Sequence, residues 1–476
     1  MRTVDDDAAL ETLTDAANLQ RAILLANPLL DFDLVVARET NNLGLTANYH
    51  SNSNLRREGY NNRIMKFSIH GNTPDRTVFA PEKTRFVGDF CLHWDADRML
   101  FSMPTDQDWQ VFEIRLDGTG LRQISPEIEN GINNYDAAYL PNGDVLFTST
   151  LPMVSVPCVA GGAHVANLVR LHADGSVRQL CFDQEHNWHP RVLPNGTVLY
   201  QRWEYTDTPH ANTRLLMTMN PDGTNQRAFY GSNSYWPTAF FYATPVPGSS
   251  TRVAGISSGH HGDRRLGELI ILDAARGSHE ASGVVQPIPS TATHNIGRIY
   301  DHMRNVWPRF LHPQPLSENY FLVACQPTPQ HRWGVYLVDV FDNFLLLKDD
   351  PALAVVEPMP VVRRPVPPIE NPVIELAGWP FDADASPAPP LEVDGYVIEM
   401  MHIPAGAFVM GNPDGHRDEQ PVARVVIDKP FQMARYEVTN ELYRKFNPNH
   451  VTSSHRLVYD DYQPVMWVGF RIMIEE

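Results

Sequence analysis

Histidines and carboxylates cluster in one stretch of this sequence. The stretch contains His186, His189, Glu204, Asp207 and His210. Neutral imidazoles and carboxylates bind divalent metals such as Zn²⁺, and these side chains would form a site if their loops met at one end of the fold. In the alternative, structural interpretation, His189 packs between two sheets and bonds to a neighbouring backbone.

A second cluster is the sequence Gly259-His260-His261-Gly262. The glycines allow the backbone to approach a ligand closely, and histidines are uncommon in a purely structural turn. Adjacent side chains on a strand point to opposite faces, so both histidines enter one site only if the segment is a loop. The metal-ligand candidates are therefore His186, His189, His210, His260 and His261, and the possible cofactor is a divalent metal.

Two tryptophans are candidates for a ligand pocket. The indole faces of Trp203 and Trp236 are suited to lining such a pocket, although Trp236 would equally fill a core between neighbouring sheets. Together with the polar residues of the first cluster, the ligand-binding candidates are His189, Trp203, Glu204, Asp207 and Trp236.

Composition and motifs argue against several classes of protein. The net charge of −18, without a basic cluster, disfavours nucleic-acid binding, and no apolar stretch is long enough to span a membrane. Gly-x-Ser-x-Gly and phosphate-loop motifs are absent, and the four cysteines form no CxxCH sequence for covalent c-type haem. The first residues lack the basic start and apolar core of a secretory signal, which leaves localisation open.

Turn motifs repeat along the central part of the chain. Asp-Gly pairs at 117, 174 and 222, and Pro-Asn-Gly sequences at 141 and 194, separate short runs rich in Val, Tyr, Phe and Thr. Four short strands per repeat are typical of propeller blades, whereas a β-sandwich would lack the long period. The sequence predicts a mainly β protein, built on a propeller of about six blades.

The predicted domains follow from composition along the chain. Residues 1–60 form a lead-in that contains a short helix over Asp7–Leu24, and residues 61–348 form the β-propeller. Residues 349–391 form a proline-rich linker, and residues 392–476 form a small α+β module.

The propeller resembles that of the hydrazine synthase alpha-subunit-like family. The resemblance is carried by residues 187–191, 202–207 with His210, 230–237 and 259–262, and residues 27–32 resemble the lead-in of that family. Members of the family are often exported. Hydrazine synthase attaches its haems through CxxCH sequences beyond its propeller, so the resemblance implies the fold but not the haem chemistry here.

The C-terminal module resembles the formylglycine-generating enzyme, or sulfatase-modifying factor, family. The matching motifs are residues 401–411, 417–421, 436–440, 463–465 and 469–471. The long active-site stretch between the last two motifs is missing, and no cysteine follows Cys325, so copper-dependent thiol chemistry is not implied. The histidines that would serve an iron-dependent relative have no spacing typical of metal ligands.

These observations favour a non-catalytic scaffold that binds a protein or small-molecule ligand at one end of the propeller. A metal-dependent enzyme or redox subunit, with a His/carboxylate site centred in the propeller, is the first alternative. The second is a deletion remnant with abrupt joins near Pro368-Ile369 and after Val468, in which the C-terminal module would be poorly stable.

Overall fold

The structure is a computed structural model. It describes residues 4–127, 131–205, 213–261, 264–291, 296–297, 306–368, 387–393, 396–410, 423–427, 429–434 and 473–475. The chain divides into two compact units, Met1–Pro372 and Val373–Glu476. The two proposed joins of a deletion remnant involve residues outside the described ranges.

Among its described residues, the first unit contains one α-helix, α1 (Val4–Leu25), three short 3-10 helices and 24 strands. The strands are β1 (Leu34–Thr40), β2 (Asn62–Ser68), β3 (Arg76–Phe79), β4 (Gly88–Leu92), β5 (Arg98–Pro104), β6 (Trp109–Arg115), β7 (Arg122–Gln123), β8 (Asn134–Tyr139), β9 (Val145–Ser149), β10 (Asn167–Leu171), β11 (Val177–Gln179), β12 (Asn187–Val192), β13 (Val198–Trp203), β14 (Arg214–Met219), β15 (Arg227–Tyr230), β16 (Ala239–Pro245), β17 (Arg252–Ser258), β18 (Glu268–Asp273), β19 (Val284–Ile288), β20 (Arg309–Pro315), β21 (Tyr320–Gln326), β22 (Gly334–Asp339), β23 (Phe344–Lys348) and β24 (Ala354–Pro360).

These strands form six antiparallel blades of four strands each, which confirms the predicted propeller. Blade 1 has the order β24-β1-β2-β3, and blades 2 to 6 use β4–β7, β8–β11, β12–β15, β16–β19 and β20–β23 in sequence order. Blades 4 and 5 are also linked by one parallel bridge between Arg214 and Ala239. The first strand named for each blade is its innermost strand.

Blade 1 closes the ring of blades with strands from both ends of the unit. Strand β24 pairs antiparallel with β1, from Val35 opposite Pro360 to Thr40 opposite Ala354. Both strands lie outside the range 61–348 that the sequence indicated for the propeller. Because a blade with three strands would leave an open edge towards the axis, closure depends on this pairing.

The repeated Asp-Gly and Asn-Gly turns are built alike. In each Asp-Gly turn the glycine has a φ of 87° to 90°, which is the left-handed conformation that glycine adopts without a steric penalty. The Asp117 carboxylate accepts hydrogen bonds from the backbone N–H and the hydroxyl of Thr119, at 2.8 and 2.7 Å. Ser176 and Thr224 make the same pair of bonds to Asp174 and Asp222. The sequence repeat therefore corresponds to a repeated turn between the third and fourth strands of a blade.

Helix α1 confirms the predicted N-terminal helix but packs only through its last turns. Leu24 is buried against blades 1 and 6, and Arg21 donates a 2.9 Å hydrogen bond to the Leu346 carbonyl. The apolar side chains Leu13 and Ile23 are 67% and 63% exposed.

No described helix has the length and apolar character needed to cross a membrane.

The second unit is described as six strands. They are β25 (Pro387–Val393), β26 (Tyr396–Ile403), β27 (Gly406–Met410), β28 (Ala423–Ile427), β29 (Phe431–Ala434) and β30 (Met473–Glu475). One sheet has the order β25-β26-β29-β30, and β27 pairs with β28 in a second sheet.

Candidate functional site

Each innermost strand of the propeller contains a β-bulge at an equivalent position. In every blade the register shifts so that two residues oppose one on the neighbouring strand. The first bulged residue has a φ between 49° and 56°, in the left-handed region that costs a residue other than glycine about 1–3 kcal/mol. The six residues, here called the axial ring, are Glu357, Asp89, Asp136, His189, Tyr242 and His312 in order of blades 1 to 6.

All six residues of the axial ring line one small cavity on the propeller axis. Its volume is ≈ 20 Å³, which is enough for about one water molecule or ion. Because all six side chains are polar and titratable, the bulges concentrate polar groups at a point that the rest of the core surrounds with apolar side chains. Such strained, clustered groups are typical of functional sites.

Asp136 and His189 form a buried hydrogen-bonded pair across blades 3 and 4. The Oδ2 atom of Asp136 lies 2.7 Å from His189 Nδ1 and accepts a 2.8 Å hydrogen bond from the His189 backbone N–H. Burial would raise the pKa of Asp136, but the adjacent His189 side chain, the hydrogen bonds from His189 and the charge of Arg191 together outweigh burial and lower that pKa to about 2. Asp136 Oδ1 and His189 Nε2 have no hydrogen-bond partner among the described residues.

Glu357 forms a second buried pair, with Arg38 of the adjacent strand. Arg38 Nε lies 2.8 Å from Glu357 Oε1, and the Phe90 backbone N–H donates a 3.1 Å bond to Oε2. Burial raises the pKa of Glu357 to about 7, although the Arg38 guanidinium limits the rise. Burial, and then the charge of Asp136, also raise the pKa of Asp89, which accepts a 2.5 Å bond from Asn52 Nδ2.

Tyr242 and His312 complete the ring on the side of blades 5 and 6. Their ring centroids are 4.3 Å apart, and Tyr242 also lies 4.8 Å from the His189 ring. Burial, with the nearby positive charge of Arg38, lowers the pKa of His312 well below its usual value, so this imidazole is neutral. Its Nδ1 has no partner among the described residues.

The six innermost strands surround a central channel. A larger pocket, here called the mouth, opens at the end of this channel where these strands end. It has a volume of ≈ 580 Å³, within the range of small-molecule sites. The last residue of every innermost strand lines it: Leu92, Tyr139, Val192, Pro245, Pro315 and Pro360. The segments 28–32, 245–248 and 362–368 contribute further apolar and proline side chains.

Polar groups stand where the mouth meets the axial cavity. Arg191, Thr244 and Gln314 line both spaces, and Arg191 Nη1 lies 3.8 Å from Asp136 Oδ1. Further out, Arg364 stacks over Trp94 at 5.1 Å. The mouth therefore combines an apolar wall with a cationic inner end.

The opposite end of the channel is covered by the lead-in segment. The Asn48 carbonyl accepts a 2.9 Å bond from Arg214 Nε, and Tyr49 packs edge-on against His261 with centroids 5.9 Å apart. Arg214 also contacts His260 Nδ1 and stacks over Trp203 at 4.3 Å. These contacts bring His260, His261 and Trp203 to the end of the channel that lies away from the mouth.

The structure distributes the predicted site residues among several places. His189 is the one candidate that lies in the axial ring, whereas His186 stacks on Trp188 at 4.5 Å and accepts a 3.1 Å bond from the Ala166 N–H. Trp236 is fully buried in the core between blades 4 and 5, and Glu204 lies 3.6 Å from Arg202. Asp207 and His210 are outside the described residues.

Five members of the ring were not recognised from the sequence: Asp89, Asp136, Tyr242, His312 and Glu357. A signal was present, because three of the six bulges carry proline as their second residue: His189-Pro190, His312-Pro313 and Glu357-Pro358. Aligning the repeats on the innermost strands would have placed the other three polar residues at the same position.

Glu185 is a buried carboxyl group next to the covered end of the channel. It is 2% exposed, neither carboxylate oxygen has a hydrogen-bond partner among the described residues, and burial raises its pKa to about 8 from 4.5. Between pH 4.5 and 8, Glu185 keeps its proton in the folded state and has released it in the unfolded state. The free energy of unfolding therefore falls as pH rises through this range.

We expect Glu185→Gln to make the free energy of unfolding less dependent on pH between 4.5 and 8. The wild type should lose about 1.4 kcal/mol per pH unit more than the variant in this window. Urea unfolding at a series of pH values measures the difference, with the exposed Glu82→Gln as the control. Parallel curves for wild type and Glu185→Gln would contradict the interpretation.

Comparisons with known proteins agree with this two-part organisation. Residues 387–472 match the family model described as Sulfatase-modifying factor enzyme 1-like domain. The search among curated proteins found no match.

Among solved structures, Kuenenia stuttgartiensis hydrazine synthase is similar, with a TM-score of 0.56 and 15% identity over 71% of this chain and 48% of that chain. TolB from Acinetobacter baumannii has a TM-score of 0.41 and 12% identity over 72% of this chain and 71% of that chain. At these identities the likeness to hydrazine synthase concerns the fold alone, and this chain spans about half of that one. The chain thus joins a β-propeller with the fold seen in hydrazine synthase to a segment that matches the sulfatase-modifying factor enzyme 1-like family.

Proposed function

We propose that the propeller is a non-catalytic binding module that takes a small, largely apolar molecule with an acidic end group in its mouth. The observation that carries the proposal is the mouth itself, a 580 Å³ pocket framed by the ends of all six innermost strands, with Arg191 at its inner end. Burial of an apolar body on the proline-lined wall would supply most of the affinity.

Arg191 gives the site its preference for an acid. Its side chain is mostly buried, and its guanidinium presents several donors in a fixed plane, which suits a carboxylate or phosphate. Its Nη1 donates a 2.8 Å hydrogen bond to the Pro190 carbonyl and lies 3.8 Å from Asp136 Oδ1, so the N–H groups of Nε and Nη2 remain as donors for a ligand in the mouth. The net charge of −18 makes a nucleic acid an unsuitable partner.

The test compares acids with neutral analogues of the same shape. In isothermal titration of a panel of aryl and long-chain carboxylates against their primary amides, we expect the best acid to bind at least ~10-fold more tightly than its amide, as one charge-assisted contact predicts. Arg191→Met should abolish that preference while retaining weak binding of both, because the apolar wall is unchanged.

Two controls make the result specific to the mouth. Arg178→Met removes an exposed arginine outside the mouth and should leave both affinities unchanged. Thr244→Trp, at the inner end of the mouth, should weaken binding of acid and amide alike. Equal binding of the acids by wild type, Arg191→Met and Thr244→Trp would rule out the mouth as the site.

A further inference from the structure

The axial cavity has a different chemistry from the mouth. Two of its nitrogen atoms, His189 Nε2 and His312 Nδ1, have no hydrogen-bond partner among the described residues. His189 is 5% exposed, so an unpartnered ring nitrogen there costs free energy unless another group binds it. The cavity that both residues line has room for one ion or water molecule.

The contact between His189 and Asp136 orients this side chain to bind a metal. When the His189 Nδ1–H donates its hydrogen bond to Asp136 Oδ2 at 2.7 Å, the lone pair of the ring is on Nε2, and the carboxylate makes that nitrogen a better ligand. A carboxylate behind a histidine in this way is the usual arrangement around protein-bound zinc. His312 lines the same cavity, and its buried Nδ1 has no hydrogen-bond partner among the described residues, so this atom is a second candidate ligand.

The charges around the cavity favour a cation. Three carboxyl groups, Asp89, Asp136 and Glu357, face two guanidinium groups, Arg38 and Arg191. A divalent cation in the cavity would offset this concentration of buried carboxyl groups.

We propose that the axial ring binds one divalent transition-metal ion, with His189 Nε2 and His312 Nδ1 as its protein ligands. Water on the side of the mouth, where Arg191, Thr244 and Gln314 line both spaces, completes its coordination. Imidazole nitrogens select Zn²⁺ or Co²⁺ over Mg²⁺ and Ca²⁺. The described donors of the ring include no three His, Cys, Asp or Glu ligand atoms that lie within 4.8 Å of one another, so the proposal has two protein ligands and not three. The carboxylates then act by accepting hydrogen bonds from the bound water.

A second group must be distinguished from the ring. His93, Asp95 and Asp97 are the one set of three described donors whose ligand atoms all lie within 4.8 Å of one another. This set lies in the turn between β4 and β5, its aspartates are exposed, and His93 also contacts Arg98 at 2.6 Å. It has one imidazole, whereas the proposed site has two.

The experiment uses Zn²⁺ and Co²⁺ alone with the full-length protein. After incubation and gel filtration, we expect about one equivalent to remain on the wild type, and the Zn²⁺ X-ray absorption spectrum to show scattering from two imidazoles. His189→Gln/His312→Gln should retain less than a tenth of that metal. His331→Ala, at an exposed histidine, and Asp95→Asn/Asp97→Asn should retain all of it.

Three outcomes would overturn the proposal. They are no retained metal on the wild type, a spectrum with one imidazole or none, and loss of metal in Asp95→Asn/Asp97→Asn. The absorption spectrum is measured on the unaltered protein, so it decides the question even where the double variant fails to fold. Ligand binding in the mouth is measured with metal-free acids and does not depend on this result.

Discussion

A chain that ends at residue 348 is expected to lose the cooperative unfolding transition that a chain ending at residue 368 retains. The two chains differ by residues 349–368, which contain strand β24, and this innermost strand of blade 1 pairs with β1. Val355 and Val356 of this strand are fully buried, and Met359 is 7% exposed. Burying such side chains contributes about 1.5–3 kcal/mol each, so their sum is comparable with the ~5–15 kcal/mol that stabilises a whole domain.

The loss of stability in the 1–348 chain should exceed the value expected from the buried area alone, because the ring of blades also opens. Without β24, Arg38 has no carboxylate partner, and Phe90 of blade 2 loses the acceptor of its backbone N–H. Thermal unfolding followed by circular dichroism, with gel filtration for compactness, measures the outcome. A sharp transition in the 1–348 chain, within a few degrees of that in the 1–368 chain, would show that blade 1 does not need β24.

Replacing Arg38 with methionine is expected to destabilise the protein by about 3–5 kcal/mol at pH 8. Arg38 is 1% exposed and its charge is balanced by Glu357, which would remain as an unpaired buried carboxylate. The pKa of Glu357 is already raised to about 7 from 4.5, and it should rise further without the guanidinium. A protonated Glu357 carries no charge, so it does not pay the free-energy cost of a buried unpaired carboxylate. The loss of stability should therefore be smaller at pH 5 than at pH 8.

Two further variants test the cause of that loss. Arg38→Met/Glu357→Gln removes both charges and should recover much of the stability at pH 8, in a double-mutant cycle measured by urea unfolding. Lys83→Met breaks an ion pair with Asp106 in which the two side chains are 52% and 68% exposed, so it should cost less than about 1 kcal/mol. A loss for Arg38→Met that is equal at both pH values would mean that packing, and not the charge of Glu357, is responsible.

The fold could be predicted because its signals are local and repeated. An Asp-Gly or Asn-Gly turn requires a left-handed glycine wherever it occurs, so its spacing shows the period of the blades before any contact between them is known. Helix α1 was visible in the same way, from the spacing of its apolar residues. The packing of this helix was not visible in the sequence. Leu13 is exposed because the helix contacts the propeller near its end, and Ile23 is exposed although the adjacent Leu24 is buried.

The candidate site could be predicted only in part, and His189 shows why. Its segment was notable in the sequence for its histidines, but histidine ligands were sought among sequence neighbours such as His186, which packs on Trp188 instead. The partners of His189 are Asp136 and Tyr242, each one blade away. Residues separated by a whole repeat become neighbours only when the blades close around an axis.

The sequence by itself determined the blade repeat, the turn chemistry, the absence of a haem-attachment motif and the two-part organisation of the chain. Tertiary structure alone decided which polar residues meet, because six bulges of similar geometry direct six distant side chains to one cavity. It also decided that Ala354–Pro360 belongs to blade 1, since pairing between the two ends of the propeller is a contact of long range that no local pattern encodes.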